Sequence, residues 1–480
     1  MPYKINTLKC KLNKDLMSPS KYTDVNIPDL GYPKTEPKIV GSTYQTRLEK
    51  LFDKADTNSF NSLIIYGDRE HFANLAYLTG YDPRFEESML VMDVSTRKIT
   101  LMMGHEGLGY FPVSPVKESI RSVLYPSFSL MGQDRGKTSP LDDLLEDAGV
   151  KERDKVGVIG WKYFNLSETR TPDHWLEIPS FIVDTLRTMV GHGNVVNANS
   201  LLMHQEKGLR AVNEAEQLAS FEYAATITSQ SIKNMIFGLK PGMTEFDAVR
   251  LMKIAGLPQS CHLMLSAGPR AFMGLASPSS RVITEGDPIT VAYGVFGALN
   301  CRAGWVLEDE NELPSETRDY VDKLVKPYFE AIADWYSHLG IGVSGGVLYD
   351  AIHQRLRDPF FGVHLNPGHL IHLEGWLNSP IYIGSKDKLL SGMALQVDVI
   401  PATGTPYFTT NMEDGIALAD LKLREELSSS YPECWERILK RRSFMEELGF
   451  KLKPEALPFS NLSGYLPPFM LSPHKAMRLR

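Results

Sequence analysis

Between Ser62 and Ser200 short apolar runs alternate with helical stretches, and no other feature of the chain restricts the fold as much. "SLIIYGD" reads as a buried strand, "ESMLVMDVSTRKITLMMG" as two strands around a turn, "KVGVIGW" as another strand and "HWLEIPSFI" as a helix. A short helix around Thr43 to Ala55 precedes them. This alternation predicts an α/β layer domain ending near Ser200. The pattern then changes. Ala215, Leu218, Ala219, Tyr223, Ile227, Ser231 and Met235 recur at helical spacing and predict a long amphipathic helix. In "KPGMTEFD" a Pro-Gly break is followed by Thr244 as helix cap, with Asp247 three residues on. Strand-like segments run to Val306, helices from Pro314 to Leu339 and Gly346 to Leu356, then strands to Ala419.

A chain of 480 residues exceeds the ~250–300 at which a single core stops growing, so two domains are expected. The reading divides it into an extended arm (1–42), an N-terminal α/β domain (43–200), a second domain (201–447) and a proline-rich, basic, surface-docked tail (448–480). A net charge of −7 argues against nucleic acid or an anionic membrane as partner. Cys10, Cys261, Cys301 and Cys434 lack metal or redox spacing, which fits reduced thiols and a cytoplasmic protein. No apolar run is long enough for a signal peptide or a membrane span.

"VAYGVFGALNCRAGWV" (Val291 to Val306) reads as a β-hairpin that offers a thiol and a guanidinium but no carboxylate. Downstream, "HLNPGHLIHLE" is dense in histidine. With "NLAYLTGYD", "LRAVNEAEQLA", "LKPGMTE", "SAGPRA", "SPSSRVITEGDPITVAYG", "LLSGMALQVDVIP" and "NMEDGIAL" in this order, the chain from about 60 to 420 resembles the creatinase and Xaa-Pro aminopeptidase family. The resemblance implies a creatinase-like N-terminal α/β domain, a C-terminal pita-bread (α+β) domain and a homodimer. Family peptidases hold two metal ions with two Asp, one His and two Glu. The His carries over to His369, and the two Glu positions fall on Asp398 and Glu413. The Asp positions fall on Ala292 and Ala303, and the family's substrate-side histidine falls on Leu275.

Carboxylates must bridge two ions ~3.5–4 Å apart, and alanine brings neither charge nor lone pair. No metal pair is therefore expected; the alternative is one divalent ion on His369, Asp398 and Glu413. Strand alternation puts Cys301 on the face of Ala303 and turns Asn300 and Arg302 outward, unless the register slips by one. A thiol facing His369, with Asp398 or Glu413 orienting the ring, is the arrangement of nucleophile, base and acid. Buried cysteines are as often core. Arg302 reads as a fork for a substrate carboxylate or as a surface ion pair. His372 beside Glu374 reads as a proton relay or an exposed pair. Trp305 and Trp376 wall a pocket or pack, and His262 is an ordinary strand-end histidine. The expected function is a metal-independent hydrolase cleaving a C–N bond of a small amidino or amide substrate, with catalytic His369, Asp398, Glu413 and Cys301, and with Arg302, His372 and Trp376 binding substrate. An acidic pocket without ions favours a cationic ligand. The rival readings are a non-catalytic binding or assembly relative, and an Xaa-Pro aminopeptidase-type metallopeptidase with an altered or single metal site.

Overall fold

The computed structural model describes residues 19–136 and 138–480. Residues 1–18 of the arm, with Cys10, lie outside the described residues. The arm enters as β1 (Lys21–Asp24). Six strands follow in the N-terminal domain: β2 (Ser62–Gly67), β3 (Ser88–Asp93), β4 (Lys98–Met103), β5 (Arg121–Leu124), β6 (Val156–Ile159) and β7 (Val195–Asn197), ordered β5-β4-β3-β2-β6-β7. β2, β3 and β4 pair antiparallel, β3 and β4 through a short turn and β2 and β3 through a connection that carries helix Ala73–Thr79, while β5, β6 and β7 add in parallel. β2 and β3 are buried along their whole length because helices cover both faces. "HWLEIPSFI" departs from the reading: the helix starts only at Ser180, after Pro179, and runs to Val190. Proline cannot sit inside a helix but caps one readily.

The second sheet is built from β8 (Met264–Ala267), β9 (Pro288–Val295), β10 (Ala298–Trp305), β11 (His369–Leu370), β12 (Ala394–Val397), β13 (Asn411–Leu418) and β14 (Ala456–Pro458), ordered β11-β12-β13-β10-β9-β8 with β14 on β13. Helix Ala215–Gly238 lies across β9 and β10. It is buried almost all round, and its fully buried Glu222 is gripped by Arg437 and Arg441 from helix Pro432–Glu447. Thr244 and Asp247 form a reciprocal capping box.

The tail is not docked on the surface. Leu457, Phe459, Leu462, Tyr465, Leu466 and Phe469 are buried, β14 extends the sheet, and β15 (Lys475–Arg478) pairs antiparallel with β1. Arm and tail thus close one another on the C-terminal domain. Prolines interrupt any periodicity in the tail, but its large apolar residues fill the layer behind β10.

Candidate functional site

A cavity of about 1450 Å³ opens where the concave face of the second sheet meets the N-terminal domain. β9 and β10 turn through Phe296–Gly297, where Gly297 takes a φ of 87° and a Cβ would strike the Phe221 ring. The register sets Cys301 opposite Ala292 and Ala303 opposite Thr290. These four side chains and Leu299 share the cavity face.

Three groups form the floor. His369 comes from β11, Asp398 follows β12 and Glu413 lies on β13. His369 Nε2 is 3.9 Å from Asp398 Oδ2 and 3.9 Å from Glu413 Oε1. These gaps are too long for direct hydrogen bonds and leave room for one small atom between the groups. His369 Nδ1 is 3.1 Å from the carbonyl of Leu370, which only accepts, so Nδ1 carries a proton and Nε2 is turned to the acids. Asp398 Oδ1 is shielded and has no hydrogen-bond partner among the described residues. Burial pushes the Glu413 carboxyl well up from its ordinary range, and the Asp398 and Asp414 charges add to the rise. Burial also raises Asp398, against the pull of His369.

This donor set does not fit two ions. Ala292 and Ala303 on the facing strands offer only methyl groups, and Cys301 and Asn411 beside them supply no carboxylate to bridge a second ion. It does fit one ion: the three donors lie within 4.8 Å of one another, and a ligating histidine characteristically gives its other N–H to a backbone carbonyl. They are the one such cluster among the described residues.

The structure separates the remaining candidates. Cys301 is buried in the cavity wall, where its sulfur accepts from Asn411 Nδ2 at 3.3 Å. Burial first, then Glu413 and Asp398, push its thiol well up. Nucleophilic cysteines need positive surroundings, so these oppose the role expected for Cys301. Arg302 does not reach substrate, nor is it in a surface pair. It is fully buried on the opposite face, bonded to Asp414 Oδ2 at 2.7 Å and to the tail carbonyls of Leu462 and Tyr465. His372 is fully buried as well, edge-on to Tyr77 and Phe221, with Nδ1 accepting from Arg210 and from the Leu373 amide. It is no part of the cavity lining, so it is neither an exposed pair nor in contact with substrate, and burial first, then Arg210, push its pKa well down. Trp376 lines the cavity, half-exposed. Trp305 packs against Tyr320 and Phe408. His262 lines the cavity too, and its Nε2 donates to the Leu275 carbonyl at 2.8 Å.

Sequence reasoning missed Asn411 and Arg84, and read Glu374 only as the neighbour of His372. Arg84 lies against the stacked rings of Phe72 and Phe296, is held by Asp82, and reaches across to the Gln259 carbonyl. Its signal was local: Asp82 two residues before an arginine in "YDPRF". Glu374 is gripped from behind by Arg210, which also bonds Asn74 of the N-terminal domain. No local pattern announces that contact.

A two-domain chain with a pita-bread sheet closing over a cavity defines the class: this is the fold of the creatinase and Xaa-Pro aminopeptidase family that the sequence resembles. Among solved structures, the prolidase of Pyrococcus horikoshii OT3 matches 78% of this chain and 95% of its own, at a TM-score of 0.59 and 14% identity. The dipeptidase PepE of Mycobacterium ulcerans matches 80% and 95%, at 0.58 and 18%. The Xaa-Pro dipeptidase of Bacillus anthracis matches 79% and 96%, at 0.58 and 14%. At these identities the likeness is one of fold. By sequence, the uncharacterized peptidase YqhT of Bacillus subtilis is 22% identical over 224 residues, 44% of this chain and 61% of that protein, so the chain spans less than two thirds of this relative. No family model matches the chain.

Proposed function

We propose that the cavity belongs to a hydrolase that opens a C–N bond in a small substrate carrying an amidino or amide group, with His369, Asp398 and Glu413 acting without a pair of metal ions. The charge count on the floor carries this reading. Two nearly buried carboxylates face one imidazole, while Arg302 is turned away and taken up by Asp414. Buried charge requires a partner, and a cationic group on the ligand supplies it. That the fold neighbours are named as prolidases and dipeptidases supports hydrolysis of a C–N bond.

The roles follow from geometry. A water or substrate atom between the three groups is within reach of all of them. One of the two facing acids takes a proton from attacking water, and the other, when protonated, gives one to the departing nitrogen. His369 orients the water through Nε2 and is itself fixed by its Nδ1 bond. A second reading is favoured by that same bond and by the unpartnered Asp398 Oδ1: one divalent ion held by His369, Asp398 and Glu413, which would polarise the scissile group as a Lewis acid.

Calorimetric titration of the full-length protein with methylguanidine and with acetate, each with and without EDTA, tests the proposal. Methylguanidine should bind, retain its binding in EDTA and lose it in Glu413→Gln. Preference for acetate, or two manganese ions per chain by elemental analysis, overturns it.

A further inference from the structure

The cavity is larger than the ~300–1,000 Å³ of ordinary ligand pockets, and a bare amidino group on the floor would leave most of its 1450 Å³ unfilled. Much of the lining above the floor is apolar, beside the charged Arg69, Glu70 and Arg84 contributed by the N-terminal domain. Ala292, Ala303 and Leu299 form the wall, and Phe272, Leu275, Leu365, Trp376 and Ile400 stand round the opening, each between 36% and 70% exposed. Exposed apolar side chains scattered singly are ordinary; five on the lining of one cavity are not. Phe408 joins the two levels. Its ring is buried in the cavity wall, edge-on to Phe272 at 5.1 Å and to Trp305 at 6.1 Å, and its backbone has a φ of 61°. A bulky side chain at positive φ is strained, and such strain persists where the surroundings hold it for a purpose.

We infer that the ligand is an amphipathic cation: a charged amine or amidine nitrogen on the Asp398–Glu413 floor, joined to an aromatic or branched apolar body that lies along Phe408 and Phe272 towards Trp376. The inference rests on the proposed cationic reading of the floor and adds the body. Aromatic faces serve both parts, since rings bury much area at little entropic cost and attract cations that pass over them.

Calorimetry on the full-length protein with three probes tests it: 3-phenylpropylamine, propylamine and 3-phenylpropionate. The aromatic amine should bind at least tenfold more tightly than propylamine, and at least tenfold more tightly than the anion of the same shape. In the double variant Phe272→Ala/Trp376→Ala, whose changes are at exposed positions, the advantage over propylamine should fall to less than threefold. Equal affinity for the two amines overturns the inference, as does equal or tighter binding of 3-phenylpropionate. The hydrolase reading fails separately: if the aromatic amine binds as expected but no amide or amidine derivative of it is cleaved, the ligand class stands and the reaction does not.

Discussion

Glu413 and Asp414 are neighbours on β13, yet they face opposite worlds. Asp414 points behind the sheet, where Arg302 and Asn300 bond its two oxygens at 2.7 and 2.9 Å, and where the Arg302 fork also ties down the tail. Glu413 points into the cavity beside a second carboxylate, with a histidine 3.9 Å away. Strand alternation makes this division possible: one residue step moves a charge from a completed network to an incomplete one. Charge is therefore kept and matched where it holds the fold together, and left unmatched where a ligand can reach it. The adjacent pair on β10 repeats the lesson, with Arg302 locked into the back and Cys301 facing the front.

The back face should yield the largest effect. Asp414→Ala leaves the Arg302 guanidinium buried without its counter-ion, and removing one partner of such a pair costs about 3–5 kcal/mol. Urea denaturation should show that loss, and the apolar double variant Arg302→Met/Asp414→Leu should recover much of it. A loss below about 1 kcal/mol for Asp414→Ala would break the contrast between the two faces.

The front face should respond with the opposite sign. A carboxyl whose pKa is raised on folding leaves stability intact at low pH and lowers it as pH rises past the unfolded value of ~4.3, because the unfolded chain then ionises more readily. Glu413 is such a group. Glu413→Gln should therefore raise the melting temperature by ~2–4 °C at pH 8, the shift that about 1 kcal/mol brings to a domain of this size. The difference should vanish below about pH 4. Thermal scans across that range check it, and a destabilised Gln variant at pH 8 would mean that the floor is already neutralised by a bound cation.

The parity of β10 was legible in the sequence, because alternation fixes which side chains share a face. What lies behind that face was not. Outward for Arg302 meant surface in the sequence reading, whereas a helix and the tail form a further layer there. The tail itself hid that layer, since "LPFSNLSGYLPPFMLS" has neither a strand nor a helix period, and its burial depends on partners more than 150 residues away. His372 misled for the same reason: beside Glu374 it looked like an exposed pair, but Arg210 and the rings that enclose it are contributed from elsewhere in the chain. Period and capping pointed to individual strands and helices, while the pita-bread sheet and the three floor residues came from the family resemblance carried by the ordered motifs. Polar groups satisfied at long range left no local trace.

The smallest expected effect is chemical. Cys261 and Cys301 both border the cavity, but Cys261 is partly exposed while Cys301 is buried nearest the acids, and thiolate is the species that alkylates. Iodoacetamide at pH 7.5, followed by peptide mass mapping, should label Cys261 ahead of Cys301, and Glu413→Gln should speed labelling of Cys301 a few-fold by removing a nearby negative charge. If Cys301 reacts first in the wild-type protein, the field at the front face is positive rather than negative. The carboxylates of Asp398 and Glu413 would then be masked in the folded chain, and the difference between the two faces of β13 would be one of geometry alone.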